Sequence, residues 1–320
     1  MNEFELIKKH LSTLTTKSKS SLNLNDDVFF NKSNKLIVSV DTYVEGVHFI
    51  NFKNPALVIK KILRSSISDL ICKGVKPKYY FLSASGNKNK FSKKNLFEIN
   101  KSLNEEQNKY KIILGGGDTV NSSKLSFTIV SIGFSNKIIK RNQSNVNDDI
   151  YVTGNLGDSF IGLQILKNKL NISKKLSKYF INQYFKPNIK LSITKYLNQF
   201  ASSSIDISDG LFSDLEKMIN KQKSSYLIFL DEVPISKESN LLRKLGKLKK
   251  ENFISKGDDY QILFTSGYKN RNLIRKVSIS KNIKITRIGK ILSGYKKSSI
   301  IDRNGNKIKI IDKGYFHRFD

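Results

Sequence analysis

The sequence predicts an α/β (α+β) protein built in two successive units. Three observations carry that prediction. Apolar runs of strand length alternate with helix-length amphipathic stretches along the chain. A polar segment, SNKIIKRNQSNVNDD at 135–149, interrupts the alternation near the middle and reads as a connector. The chain has 320 residues, enough for two hydrophobic cores. The expected division is 1–138 and 139–320.

The elements follow in order. Residues 3–14 place Phe4, Ile7 and Leu11 on one side of a short helix. Residues 15–25 are rich in Ser, Lys and Asn and read as a loop. KLIVSVD, ending at Asp41, is a buried-type strand. Asn54 followed by Pro55 opens a helix, because Asn caps and Pro suits the first turn; Gly74 and Pro77 close it. Strands are expected at 78–85, 111–114 and 126–134, with a polar helix over 92–109. DIYVTG restarts a strand, and 158–170 reads as a helix. Further strands are expected at 204–207, 226–230, 260–265 and 283–291. Asn304-Gly305 is a hairpin-turn signal.

Composition narrows the function classes. No stretch is apolar and long enough to span a bilayer, and the acidic start MNEFELIKKH lacks the apolar core of a secretory signal. One cysteine, Cys72, excludes an internal disulfide and suits a cytoplasmic protein. The net charge is +30. A nucleic-acid binder would explain that charge, but the lysines are spread evenly and no nucleic-acid motif appears. A lysine-rich surface, with some electrostatic steering of anionic substrates, is the preferred reading.

The acids, in contrast, cluster. Asp26 and Asp27, Asp41, Asp118, Asp206 and Asp209, and Asp258 and Asp259 recur where strands end or helices begin. SIDISDGLFSDL at 204–215 crowds Asp206, Asp209 and Asp214 around Gly210. Asp69 lies inside a helix, with the small side chains Ser65, Ser66 and Ser68 around it. Single aspartates of this kind commonly cap helices or close Asx-turns, and Asp158 after Gly157 is assigned that role. Together they repel, and divalent cations remove the repulsion; Mg²⁺ favours oxygen ligands and bridges carboxylates to phosphates. The glycine run 115–117 can bring backbone N–H groups against phosphate oxygens, or simply make a tight turn. P-loop, dinucleotide-binding and protein-kinase signatures are absent.

The order NDD (25–27), SVDTYVEGVHF (39–49), SISDL (66–70), GGDT (116–119), TGNLGDSFIGL (153–163), IDISDGLFSDL (205–215), GDDYQILFT (257–265) and GYFHRF (314–319) resembles the thiamine-monophosphate kinase family, over nearly the whole chain. That family belongs to the aminoimidazole-ribonucleotide-synthetase-like superfamily. The resemblance implies transfer of the γ-phosphoryl of ATP onto thiamine monophosphate with several Mg²⁺ ions. It also implies a homodimer formed through the mixed sheet of the first domain, and an ATP groove between the domains. By motif match, Asp27, Ser39, Asp41, Asp69, Asp118, Asp206 and Asp209 would be metal-site residues, with Val40 offering its carbonyl. Gly117, Asp118, Arg141 and Ser208 would touch ATP. His48, Asp258 and Tyr315 would touch the thiamine phosphate.

Two departures stand out. Asn23-Leu24-Asn25 replaces the family's glycines before the paired acids, and KGDDYQI replaces GGEDYEL. Asn tolerates a left-handed backbone, so the first turn is expected to persist. A purine-synthesis enzyme of the same superfamily and a metal-dependent phosphatase are the rival readings. The relatives that need a reactive cysteine fit poorly, because Cys72 falls within a helix.

Overall fold

The computed structural model describes residues 3–312, 314–317 and 319. The side chain of Phe4 and the whole of Arg318, both named above, lie outside the described residues. The elements of the first half are α1 (Glu3–Leu6), β1 (Phe29–Asn31), β2 (Leu36–Val44), α2 (Pro55–Cys72), β3 (Pro77–Gly86), α3 (Lys93–Tyr110), β4 (Ile113–Asn121) and β5 (Ser126–Phe134). The second half holds β6 (Asp149–Thr153), α4 (Asp158–Leu166), α5 (Lys174–Phe185), α6 (Thr194–Phe200), β7 (Ser203–Asp206), α7 (Leu211–Met218) and β8 (Ser224–Phe229). It continues with α8 (Lys237–Lys244), α9 (Lys250–Ile254), β9 (Ile262–Ser266), α10 (Arg271–Ser280), β10 (Ile285–Ser293) and β11 (Ser299–Ile301).

Among the described residues the strands form two mixed sheets. The first has the order β1-β2-β5-β3-β4, antiparallel except for the parallel β3–β4 pair. The second has the order β11-β8-β10-β6-β9-β7, antiparallel except for the parallel β11–β8 pair.

The helix α2 joins the two halves. Asn54 caps it by accepting from the Leu57 amide at 3.2 Å, and left-handed Gly74 follows its end. One face sets Val58, Ile59, Ile62, Ile67 and Ile71 into the core beneath the first sheet. It also buries polar side chains: Lys61, Arg64, Ser65, Ser66 and Ser68. Ser66 Oγ meets Ser131 Oγ of β5 at 2.9 Å, and Ser204 Oγ of β7 donates to the Cys72 carbonyl at 2.5 Å. The helix is thus held from both sheets.

Several expectations change. The first helix is interrupted: α1 passes into a π turn at Ile7–Leu11 and a 3-10 turn at Ser12–Thr15. The helix expected over 158–170 stops at Leu166. The strand expected at 111–114 runs on to Asn121, so glycines 115–117 lie inside β4 and make neither a turn nor a loop. A Cβ on Gly117 would sit 1.8 Å from the Leu82 carbonyl oxygen, and one on Gly115 would sit 2.9 Å from the Phe81 ring. The β3–β4 register also shifts between Tyr80 and Phe81. Glycine is needed there so that the two backbones can pair across the irregularity. The segment before the paired acids keeps its left-handed character at Leu22, Asn23 and Leu24 (φ 51°, 56° and 51°). Asn25 instead takes φ −120°, and its side chain pairs with Asn220.

The pose of α2 depends on a buried ion pair with α3. Arg64 Nε and Nη2 bond the two carboxylate oxygens of Glu106 at 2.7 and 2.8 Å, and Arg64 Nη1 donates to the Pro187 carbonyl at 3.2 Å. Glu106→Ala strands the guanidinium, and breaking a pair of this kind costs about 3–5 kcal/mol. Urea unfolding of the variant should show a loss of that size; a change within experimental error would refute the tie.

Candidate active site

The acids of both halves converge on the seam where α2 meets β7. Asp27 comes from the loop before β1, Asp69 from the last turns of α2, and Asp206 from the end of β7. One carboxylate oxygen from each lies within 4.8 Å of the others. Asp41, on β2, receives a hydrogen bond from Tyr43 at 3.2 Å. Asp206 accepts from Ser68 Oγ at 2.5 Å. The serines around Asp69 therefore do specific work: they are small enough to let β7 approach, and one of them bonds the approaching acid. Ser39 is buried on β2 and reaches the Ser66 carbonyl at 3.4 Å.

Burial, with neighbouring carboxylates adding to it, works against ionisation of these acids. Burial pushes Asp206 up to about 6 from the usual 3.8, with Asp214 and Asp41 adding to it. Burial, with Glu3 adding to it, holds Asp41 at about 6, and burial followed by Asp214 does the same for Asp209. Asp69 is raised well above the usual range by burial and then by Asp41 and Asp206. Oxygen-only donors at this spacing, unwilling to ionise together, suit hard divalent cations such as Mg²⁺.

Cations of the chain already enter the cluster. Lys73 Nζ lies 2.8 Å from Asp26 and 2.6 Å from Asp27. The Arg141 guanidinium pairs with Asp27, and its backbone amide donates to Asp26 at 3.0 Å. Lys217 bridges Asp209 and Asp214. Asp214 also accepts from the amides of Asp209 and Gly210 at 2.9 and 3.0 Å, so it shapes the turn before α7.

The residues expected at the thiamine phosphate share a second wall. His48 Nδ1 accepts from the Val44 amide at 3.0 Å, and its ring faces Tyr43 and His317 with centroids 5.8 and 5.3 Å away. Burial, then His317, lowers His48 to about 4, so it is neutral near neutral pH. Asp258 receives Lys61 Nζ at 2.7 Å and Tyr260 OH at 3.0 Å. Tyr315 is half exposed; its amide donates to the Asp209 carbonyl at 3.0 Å, and its ring meets His317 edge-on. The chain's end thereby connects the acid cluster to His48. Ser208 is held across from Asp258, whose amide donates to its carbonyl at 2.9 Å.

Other expected residues lie apart. Asp118 and Gly117 are exposed on the edge strand β4; Asp118 Oδ1 accepts from the Thr119 amide and is not among the carboxylates that meet at 4.8 Å. Val40 points its side chain to the surface, 61% exposed. Asp158 makes no helix cap; it is buried and bonds Ser236, Ser239 and Tyr179. Lys61, Lys73 and His317 were missed in the sequence. Two lysines in a lysine-rich chain carry no signal, although Lys61 within VIKKIL sits at an apolar helix position.

Three comparisons bear on this arrangement. The model of the AIR synthase related protein family, N-terminal domain, matches residues 25–135. The thiamine-monophosphate kinase of Buchnera aphidicola subsp. Schizaphis graminum is 35% identical over 99% of this chain and 98% of that protein. That of Bacillus subtilis is 28% identical over 99% of each. Among solved structures, AaThiL complexed with AMPPCP and TMP superposes with a TM-score of 0.85 at 25% identity, covering 99% of this chain and 97% of that one.

The raised carboxyls carry a signed consequence. A carboxyl at about 6 in the fold and near its ordinary 3.8 when unfolded binds protons preferentially in the fold. It therefore costs stability above pH 6 and stops doing so as pH falls toward 4. In chelator near pH 7.5, Asp206→Asn should melt higher than the parent by roughly 1–3 kcal/mol of stability. The advantage should shrink by about pH 5, and Mg²⁺ should stabilise the parent more than the variant. Calorimetry that shows Asp206→Asn less stable in chelator at both pH values would refute the crowding.

Proposed function

The chain belongs to the thiamine-monophosphate kinase family, and from that premise we propose that it transfers the γ-phosphoryl of ATP to the phosphate of thiamine monophosphate, giving thiamine diphosphate and ADP. The observation that carries this reading is the meeting of Asp27, Asp69 and Asp206 beside the wall of His48, Asp258 and Tyr315. Asp27, Asp69 and Asp206 would hold Mg²⁺, with Asp41, Asp209, Asp118, the Ser39 hydroxyl and the Val40 carbonyl as further ligands. Bound Mg²⁺ supplies charge neutralisation for the phosphoryl oxygens.

The chain's own residues do the rest. Gly117, Asp118, Arg141 and Ser208 are assigned to ATP; residues 1–138 would form the ATP- and metal-binding and dimerisation domain, with 139–320 as the second domain. Neutral His48 and the Tyr315 ring offer faces to the cationic thiazolium without repelling it. The Asp258 carboxylate complements that charge. The attacking oxygen belongs to a phosphomonoester whose second pKa is about 6, so it is already anionic and needs no general base. Catalysis is then positioning plus charge compensation.

A dimer is part of the reading. Val40, Phe81, Ile113 and Val120 are exposed apolar residues on β2, β3 and β4 of one sheet. A second copy that covers this face would also change the surroundings of Gly117 and Asp118. Among the described residues no helix is long and apolar enough to cross a membrane, and we place the protein in the cytoplasm.

Incubation with ATP, Mg²⁺ and thiamine monophosphate should give thiamine diphosphate on chromatography; release of free phosphate alone would favour a phosphatase. Asp258→Ala should raise the KM for thiamine monophosphate by about tenfold, the size of one lost charge-assisted contact, with the KM for ATP little changed. Equal effects on both substrates would remove Asp258 from the thiamine wall. Val120→Asp should shift light scattering from dimer to monomer, and an unchanged mass would dismiss this face as the interface.

A further inference from the structure

We propose that Lys73 is a resident cation of the acid cluster: its ammonium occupies the Asp26–Asp27 side, so that this chain takes up one divalent ion fewer there than its carboxylates could hold. The inference rests on the metal-site reading given above and concerns how the charge of that site is compensated.

Lys73 caps the C-terminal end of α2, where a lysine ordinarily runs its stem along the surface and keeps its head in water. Here it turns inward and is 0% exposed. An ammonium has three N–H bonds to give, and Lys73 has three partners: Asp26 Oδ1 at 2.8 Å, Asp27 Oδ2 at 2.6 Å and the Ser204 carbonyl oxygen at 2.8 Å. Every N–H thus has an oxygen acceptor, two of the three anionic, in the manner of a bound ion. The acids are engaged on their other sides too. Asp26 Oδ1 accepts from the Asp27 amide at 2.9 Å, and its Oδ2 accepts from the Arg141 amide at 3.0 Å. Asp27 Oδ1 faces the Arg141 guanidinium. A divalent ion placed between Asp26 and Asp27 would have to displace Lys73. Among the described residues, Lys73 forms its ion pairs with Asp26 and Asp27 only; Asp206, which completes the cluster with Asp27 and Asp69, accepts instead from the Ser68 hydroxyl. A burial of this depth is costly for a lysine unless the charge is compensated, so the arrangement stands only because the acids are there.

A purely mechanical tie between α2, the loop before β1 and β7 would leave cation uptake unchanged when Lys73 is replaced. The two roles therefore separate on stoichiometry. Mn²⁺ binding, without nucleotide, is measured by calorimetric titration and by electron paramagnetic resonance on the parent, Lys73→Met and Asp206→Asn. Melting is measured in chelator and in millimolar Mg²⁺. Lys73→Met should bind one more Mn²⁺ per chain. Its gain in Tm on adding Mg²⁺ should exceed the parent's by about 5 °C, because a ligand that binds only the folded state stabilises by mass action. Equal stoichiometry with an equal Mg²⁺ gain would overturn the inference. So would a Lys73→Met protein that fails to fold in Mg²⁺ as well as in chelator, since divalent ions could then not take over. Asp206→Asn keeping the parent's full Mn²⁺ uptake is a different result; it would remove the metal-site reading itself.

Discussion

Like charge buried in a seam is the constraint on which the rest of the structure depends. Asp27, Asp69 and Asp206 arrive from three elements belonging to both halves of the chain, and their oxygens come within 4.8 Å. Apolar burial holds α2 against the first sheet, and the same burial raises the carboxyls that α2 and β7 carry into the seam. The fold accordingly works against full ionisation of the acids it gathers.

Small residues make the approach possible. Ser65, Ser66 and Ser68 leave α2 with a face that β5 and β7 can reach, and hydroxyls satisfy the groups that would otherwise be stranded there. Glycine performs the same service in β4, where backbone pairing leaves no room for a Cβ. Each case couples a local residue choice to a distant contact: the serines admit an acid from the second half, and the glycines keep Asp118 on a strand edge.

The meeting of Asp27, Asp69 and Asp206 was legible in advance. The aspartates announced themselves because carboxylates at strand ends and helix starts, among apolar neighbours, are expensive without a shared purpose. Asn54-Pro55 and Gly74 bounded α2 correctly because capping is local chemistry. The Gly-rich run misled for a local reason as well. Three glycines read as a turn, while their actual cause is the Leu82 carbonyl and the Phe81 ring on another strand. Asp158 reads as a cap, yet Ser236, Ser239 and Tyr179 claim its side chain.

By itself the sequence determined the alternation of strands and helices, the positions of the acids, and the family to which they belong. Those follow from local propensity, burial patterns and motif order. Only the tertiary structure decided which cation meets which acid. Lys73 and Arg141 could each have remained at the surface, as most of the chain's lysines and arginines do. They turned inward because folding places Asp26 and Asp27 beside the end of α2, and in that dry seam an unpaired charge costs more than an ordered side chain.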